Sequence, residues 1–146
     1  MSRFFTLEQA EQLLPEVDKA LRELLDAKAD YEEVQNNLRD LSRQITMMGG
    51  TQVNPQNVAG MNQRKEKSAQ QLKDVFEKIQ EIGCQIKDVE IGLVDFPTLY
   101  HGDEVCLCWK LGETGIRYWH GMTEGFRGRK AIDQEFLENH RGDSVS

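Results

Sequence analysis

The sequence predicts an α+β fold: a long antiparallel helical hairpin, coiled-coil-like, followed by a small three-stranded antiparallel β meander and a short C-terminal helix. Three observations predict it. An apolar residue recurs at every seventh position, at Val17, Leu24, Tyr31, Leu38 and Ile45. A breaker segment rich in Gly, Asn and Pro then separates this row from a second helical pattern. Beyond Gly83 the texture changes from helical spacing to short runs of strand-forming residues divided by turns.

The first helix has a start signal in Thr6-Leu7-Glu8-Gln9, a capping box in which the Thr6 hydroxyl and the Gln9 side chain satisfy each other's backbone amides. Pro15 lacks an amide proton and crowds the preceding turn, so a break or restart is expected there. The expected helices cover about 7–14, 16–48 and 60–82. Leu21, Val34, Leu41 and Met48 form a second row beside the heptad row, and the remaining positions are mostly charged or amide side chains. A helix from Glu16 to Met47 is about 48 Å long at ~1.5 Å per residue, too long to bury its stripe without a partner helix. The breaker Gly49 to Asn57 supplies the loop, and Met61, Ala69, Leu72, Val75, Phe76, Ile79 and Ile82 supply the partner. Gly83 is placed to cap it in a left-handed conformation. The first helix is the longer, so it should overhang or pair with another subunit. Tyr31 in the seam needs a partner or solvent for its hydroxyl.

The chain therefore divides into a hairpin, 1–83, and a β-rich tail, 84–146, expected to fold as one unit. In the tail, Ile91 to Pro97, a short apolar run stopped by its proline, Glu104 to Trp109 and Ile116 to His120 read as strands, with turns at His101-Gly102-Asp103 and Leu111 to Gly115. Ala131 to Asn139 reads as the terminal helix and Arg141 to Ser146 as frayed.

Charge narrows the function classes. The net charge is −7, and both halves are acidic: residues 1–83 carry 11 basic and 14 acidic side chains, residues 84–146 carry 7 and 11. A phosphate-binding footprint is missing, which disfavours nucleic acid as a partner. No stretch reaches the ~18 apolar residues of a membrane span, and the N-terminus lacks a signal-peptide run, so neither a membrane nor export is expected. Three cysteines, Cys84, Cys106 and Cys108, make a poor disulfide framework and point to a reduced, cytoplasmic setting.

Strand alternation sorts the tail into two faces. Val94, Phe96, Val105, Leu107, Trp109, Ile116 and Tyr118 are expected on the core face; Asp95, Cys106, Cys108, Arg117 and Trp119 on the other, with Asp95 pairing Arg117 across strands. Ligand-binding candidates are Asp95, Trp109, Glu113, Trp119, His120, Arg127 and Arg129. Cys106 and Cys108, two residues apart on a strand, point the same way. With His120, His101 or Cys84 they could hold zinc, although buried cysteines also serve as small hydrophobes. The sequence predicts no cofactor, with zinc as the alternative. His120 with Glu113 is the best acid–base pair on offer. No serine occurs between Ser68 and Ser144, which argues against a serine hydrolase. Gly125-Phe126-Arg127-Gly128-Arg129-Lys130 is the most basic short segment: either a phosphate or carboxylate clamp, or a surface loop whose cations answer nearby acids.

Several separated motifs occur together in order: Phe5-Thr6-Leu7-Glu8-Gln9-Ala10, Leu13-Leu14-Pro15, Lys87-Asp88, Gly92-Leu93-Val94-Asp95-Phe96-Pro97, Leu107-Cys108-Trp109-Lys110-Leu111-Gly112-Glu113, Tyr118-Trp119-His120 and Gly125-Phe126-Arg127-Gly128-Arg129. In these the chain resembles a bacterial family catalogued as domain of unknown function 2203. The resemblance covers nearly the whole chain and implies no activity; the segment Gly49 to Asn57 is longer than the family's minimum. The first reading of function is a non-enzymatic interaction or scaffold module, a homodimer through the hairpin. The alternative is a small-ligand or metal site in the tail, possibly an enzyme.

Overall fold

A computed structural model of the chain describes residues 3–47, 49 and 54–143. Helix α1 runs Leu7–Met47 and helix α2 Pro55–Ile82. Strands β1 (Gln85–Asp88), β2 (Leu93–Tyr100), β3 (Asp103–Lys110), β4 (Tyr118–Gly121), β5 (Lys130–Ala131) and β6 (His140–Arg141) follow, with a 3-10 turn at Phe126–Gly128 and helix α3 at Gln134–Asn139. The α+β class is as expected; the meander of β2, β3 and β4 is extended by three short strands. Among the described residues no helix is long and apolar enough to cross a membrane.

The chain forms two compact units, and the boundary falls inside both helices. One holds Met1–Leu21 and Lys78–Ser146, the other Arg22–Glu77. The overhanging turns of α1 thus belong with the sheet, where Ala10, Leu14, Val17 and Ala20 are buried.

The expected capping box starts α1: Thr6 N–H donates to Gln9 Oε1 (3.0 Å) and Gln9 N–H to Thr6 Oγ1 (3.1 Å). The expected break at Pro15 is absent, and α1 is continuous through it. Pro15 and Glu11, whose carbonyl loses its donor, both lie on the exposed side of the helix. Water can satisfy that carbonyl, while the buried side holds the helix straight on. Helix α2 starts at Pro55, five residues earlier than expected, because Asn54 caps it: its Oδ1 accepts Gln56 N–H at 2.9 Å. Proline suits the first helical position. Gly83 ends α2 with φ +104°.

The sheet is antiparallel in the order β1-β2-β3-β4-β5, with β6 on the same edge of β2 as β1 but at the other end. His101 and Gly102, both at positive φ, make the tight β2–β3 turn, as the sequence suggests. Pro97 does not stop β2. In an antiparallel strand a residue's N–H and C=O point to one edge. The Pro97 carbonyl accepts Phe5 N–H (2.8 Å), so its missing donor faces the gap between β1 and β6, where no strand requires one.

The two faces differ from the expected ones at β4. Leu107 pairs with Trp119 and Cys108 with Tyr118, so Trp119 joins the Phe96–Leu107 face and Tyr118 joins Asp95 and Cys108. The strand begins at Tyr118, and Ile116 and Arg117 precede it in the turn; alternation counted from Ile116 is out of phase. The Asp95–Arg117 pair is not formed. Arg117 is exposed and reaches Thr114 Oγ1.

On the Phe96 face, Phe5 meets Phe96 edge-on at 5.4 Å. Trp119 stacks on Phe136 of α3 at 5.2 Å, and Phe136 in turn on His140. Helix α3 starts three residues later than expected, at an Asp133 cap, since Ala131 belongs to β5. Arg141 to Asp143 are anchored and not frayed. His140 Nε2 accepts Leu7 N–H (2.9 Å), Asp143 N–H donates to Phe4 O (2.9 Å) and Asp143 Oδ2 accepts Phe4 N–H (3.1 Å). Ser144 to Ser146 lie outside the described residues.

In the Arg22–Glu77 unit the two helices run side by side, with Arg64 3.8 Å from Glu33. Tyr31 Oη accepts from Gln35 Nε2 at 3.0 Å, which meets the need of a hydroxyl in the seam. Met48 and residues 50–53 of the expected loop lie outside the described residues.

A β-carbon on Gly142 would sit 2.6 Å from Thr6 N and 2.8 Å from Phe5 C, whereas one on Gly60 in α2 meets nothing within 4 Å. Urea unfolding is expected to show Gly142→Ala losing about 1–3 kcal/mol by overpacking. Gly60→Ala should gain about 0.5–1 kcal/mol by helix propensity.

Candidate functional site

Three neighbouring strands place one polar cluster inside the sheet unit. β2 contributes Asp95, β3 Cys106 and Cys108, and β4 His120. Asp95 lies opposite Cys108, and Cys106 opposite His120, so all four project from one face. That face is covered: Asp95 is 1% exposed, His120 4%, Cys106 4% and Cys108 0%. The cover is the segment after β4. Cys106 Sγ donates to Met122 Sδ at 3.6 Å, and Phe126 lines the same cavity as Met122.

His120 Nε2 lies 2.9 Å from Asp95 Oδ1, and its Nδ1 lies 2.8 Å from the carbonyl oxygen of Gly121. A carbonyl only accepts, so Nδ1 carries a hydrogen. Neutral imidazole then has a bare lone pair at Nε2, facing a carboxylate oxygen. One further proton has to sit between Nε2 and Oδ1, on either atom. The pair holds that proton as imidazolium–carboxylate or as imidazole–carboxylic acid.

Asp95 Oδ, His120 N and Cys106 Sγ all lie within 4.8 Å of one another, the group among the described residues with the makings of a metal site. Beside it is a cavity of about 160 Å³, lined by Lys87, Leu93, Met122, Glu124 and Phe126 as well as by the three. That is room for about five waters at ~30 Å³ each.

Burial pushes the Cys106 thiol up to about 12, helped by the charge and hydrogen bonding of Asp95 and opposed by Lys87. Cys108 is raised to about 12 by burial and then Asp95, against Arg129. Cys84 is raised to about 12 by burial, against a backbone hydrogen bond that lowers it. None is a thiolate nucleophile near neutral pH. Both nitrogens of His120 are engaged, so a Cys–His catalytic pair is not built.

The other candidates fall elsewhere. The carboxylate partner of His120 is Asp95 and not Glu113. Glu113 accepts Lys110 N–H (2.7 Å), and both its oxygens take Arg129 (2.9 and 2.8 Å). Arg129 lies over the rings of Tyr118 (4.1 Å) and Phe126 (4.7 Å). Lys130 pairs with Glu124, whose carboxyl is held below its usual range by that hydrogen bond and by Gly121 N–H. The basic segment thus answers local acids, and Arg127 is exposed. Trp109 is buried on the opposite face, its Nε1 donating to Glu113 O (3.1 Å). Trp119 carries Lys130 over its ring. His101 is exposed at its turn, 3.5 Å from Glu135, and Cys84 precedes β1 with Sγ directed at Ile79 O. Neither is placed as a partner of the cysteine pair. An open concavity of about 740 Å³ lies over the first turn of α1 between Glu8, Glu11 and Leu137. Its histidine, His140, is already bonded to Leu7.

Sequence reasoning overlooked the Asp95–His120 pairing. Its signal is Asp95 between Val94 and Phe96: a carboxylate in an apolar strand requires a buried partner, and His120 sits in an equally apolar one. Met122 gave no signal of its own.

Removing one member of a buried pair strands the other, at a cost of about 3–5 kcal/mol. Urea unfolding should show that loss for Asp95→Ala and for His120→Ala, with the double variant losing less than the sum. The thiols set a second expectation for metal-free protein. Cysteines ionise near 9.0 when unexceptional but near 12 here, so the unfolded chain sheds protons first as pH rises. The thiols' contribution to stability is therefore flat below pH 9 and falls between 9 and 12. Cys108→Ala should make that fall shallower.

A family model described as "Uncharacterized conserved protein (DUF2203)" matches residues 3–132. No curated protein and no solved structure matches the chain. The match spans both helices and all four residues of the buried cluster, and the chain belongs to the DUF2203 family.

Proposed function

We propose that the protein binds a divalent transition metal of the zinc class on Asp95, Cys106 and His120. The observation that carries this is the apposition of His120 Nε2 and Asp95 Oδ1 at 2.9 Å with Nδ1 already bonded to Gly121 O. Two electron-pair donors facing each other need a cation between them. A proton meets that need, and so does a metal. The Nδ1–H···O=C bond is the arrangement that orients metal-ligating histidines and fixes their tautomer.

Charge supports a divalent ion. Binding displaces one proton from between Asp95 and His120 and one from the Cys106 thiol. Two positive charges leave and two arrive, so the buried site changes no net charge. The spacing also fits. Bonds of about 2.0–2.1 Å to N or O and 2.3 Å to S place tetrahedral ligands about 3.3–3.6 Å apart. The three atoms need only small shifts, and the adjoining cavity leaves a fourth position to water or Met122. Thiolate with imidazole disfavours calcium and magnesium, which take oxygen ligands.

Zinc titrated calorimetrically into chelator-treated protein should bind at one equivalent and release about two protons, so affinity rises steeply with pH. Cobalt should give a thiolate charge-transfer band that is lost in Cys106→Ser and kept in Cys84→Ala. Asp95→Asn and His120→Gln should each weaken binding by at least about tenfold. Absence of heat and of the cobalt band with folded wild-type protein overturns the reading.

A second reading is a protein-interaction module presented by the hairpin. It is favoured by one observation: among the described residues, nothing after Val34 in α1 or before Ser68 in α2 is buried, although the apolar seam continues.

A further inference from the structure

We infer that the outer part of the Arg22–Glu77 hairpin is a homodimer interface whose occupant is a second copy of the same hairpin. The inference rests on the second reading above and names its partner.

Leu38, Leu41 and Ile45 of α1 and Met61 and Leu72 of α2 are only half-buried, and Phe76 is 40% exposed. A two-helix pair has one contact seam, and stable isolated helices draw most of their stability from burying an apolar face. Along α1 beyond Val34 and α2 before Ser68 that burial is missing. The stripe comes from both helices. It is thus self-complementary, as a two-fold contact between identical chains requires.

Charge selects a second copy as the occupant. The whole chain carries −7, but residues 22–77 hold eight basic and nine acidic side chains, a net −1. Two copies repel through the remainder of the molecule and can meet here. The two helices also differ in sign. Residues 22–47 of α1 hold six acidic and four basic side chains, and residues 55–77 of α2 hold four basic and three acidic. Glu33 and Arg64 approach to 3.8 Å within one chain while both stay more than half exposed. A second hairpin alongside, its α2 against this α1, repeats that match between chains. A partner of strongly single-signed charge would find no matching surface.

The test is light scattering on the full chain at micromolar concentration, with and without zinc. The expected result is twice 16.8 kDa in both conditions. Leu41→Glu with Met61→Glu, at the half-buried stripe, should give a monomer with unchanged zinc or cobalt binding and a retained sheet signal. A dimer that survives that double variant overturns this surface. A wild-type chain of 16.8 kDa overturns the second copy. If that monomer melts no lower once the stripe is made polar, the stripe has no occupant and the interaction reading fails with it. If it melts lower, only the homodimer fails.

Discussion

Asp95 is the constraint on which the arrangement of the β unit depends. A carboxylate buried between Val94 and Phe96 has to be answered within hydrogen-bond reach, because leaving water uncompensated costs several kcal/mol. Its answer is His120. Turning His120 to that face turns Trp119 to the other, by the two-residue period of a strand. There Trp119 stacks on Phe136, Phe136 on His140, and His140 receives the first amide of α1. One polar contact thus sets the phase of β4, the docking of α3 and the start of the longest helix.

Much of the fold was legible in the sequence wherever structure is decided locally. The Thr6–Gln9 box, the His101-Gly102 turn and the Gly83 cap each depend on a few adjacent residues. What misled was decided by distant neighbours. Pro15 reads as a break in isolation, yet packing on its buried side carries the helix past it. Pro97 reads as a stop, yet Phe5, remote in sequence, makes its edge of β2 a place where no donor is needed. The phase of β4 was lost because nothing local says that Arg117 is in the turn. Of the cluster, Asp95, Cys106, Cys108 and His120 were each visible as candidates. Their company was not, since it depends on registers across three strands.

The two units are held together by different means. In the β unit, polar groups such as Asp95, His120 and Thr98 are buried and therefore specific: each of these has a named partner, and exchanging one disturbs its neighbours. In the hairpin, cohesion is a shallow apolar stripe with exposed ion pairs, each worth a fraction of a kcal/mol. The first kind of cohesion suits a site whose atoms must stay in register. The second suits a surface that tolerates sequence change as long as its stripe persists.

The contacts between Phe4, Leu7, His140 and Asp143 have a consequence for how the chain is made. Leu7 and His140 are 133 residues apart, so the first turn of α1 waits for a partner that is synthesised far downstream of it. The hairpin is built from the middle of the chain by contacts between consecutive elements, and it can form while the tail is still being synthesised. The sheet unit closes later, once the segment through Asp143 is present to meet Phe4 and Leu7. A chain cut short before His140 would therefore leave the amide of Leu7, at the start of α1, without its partner.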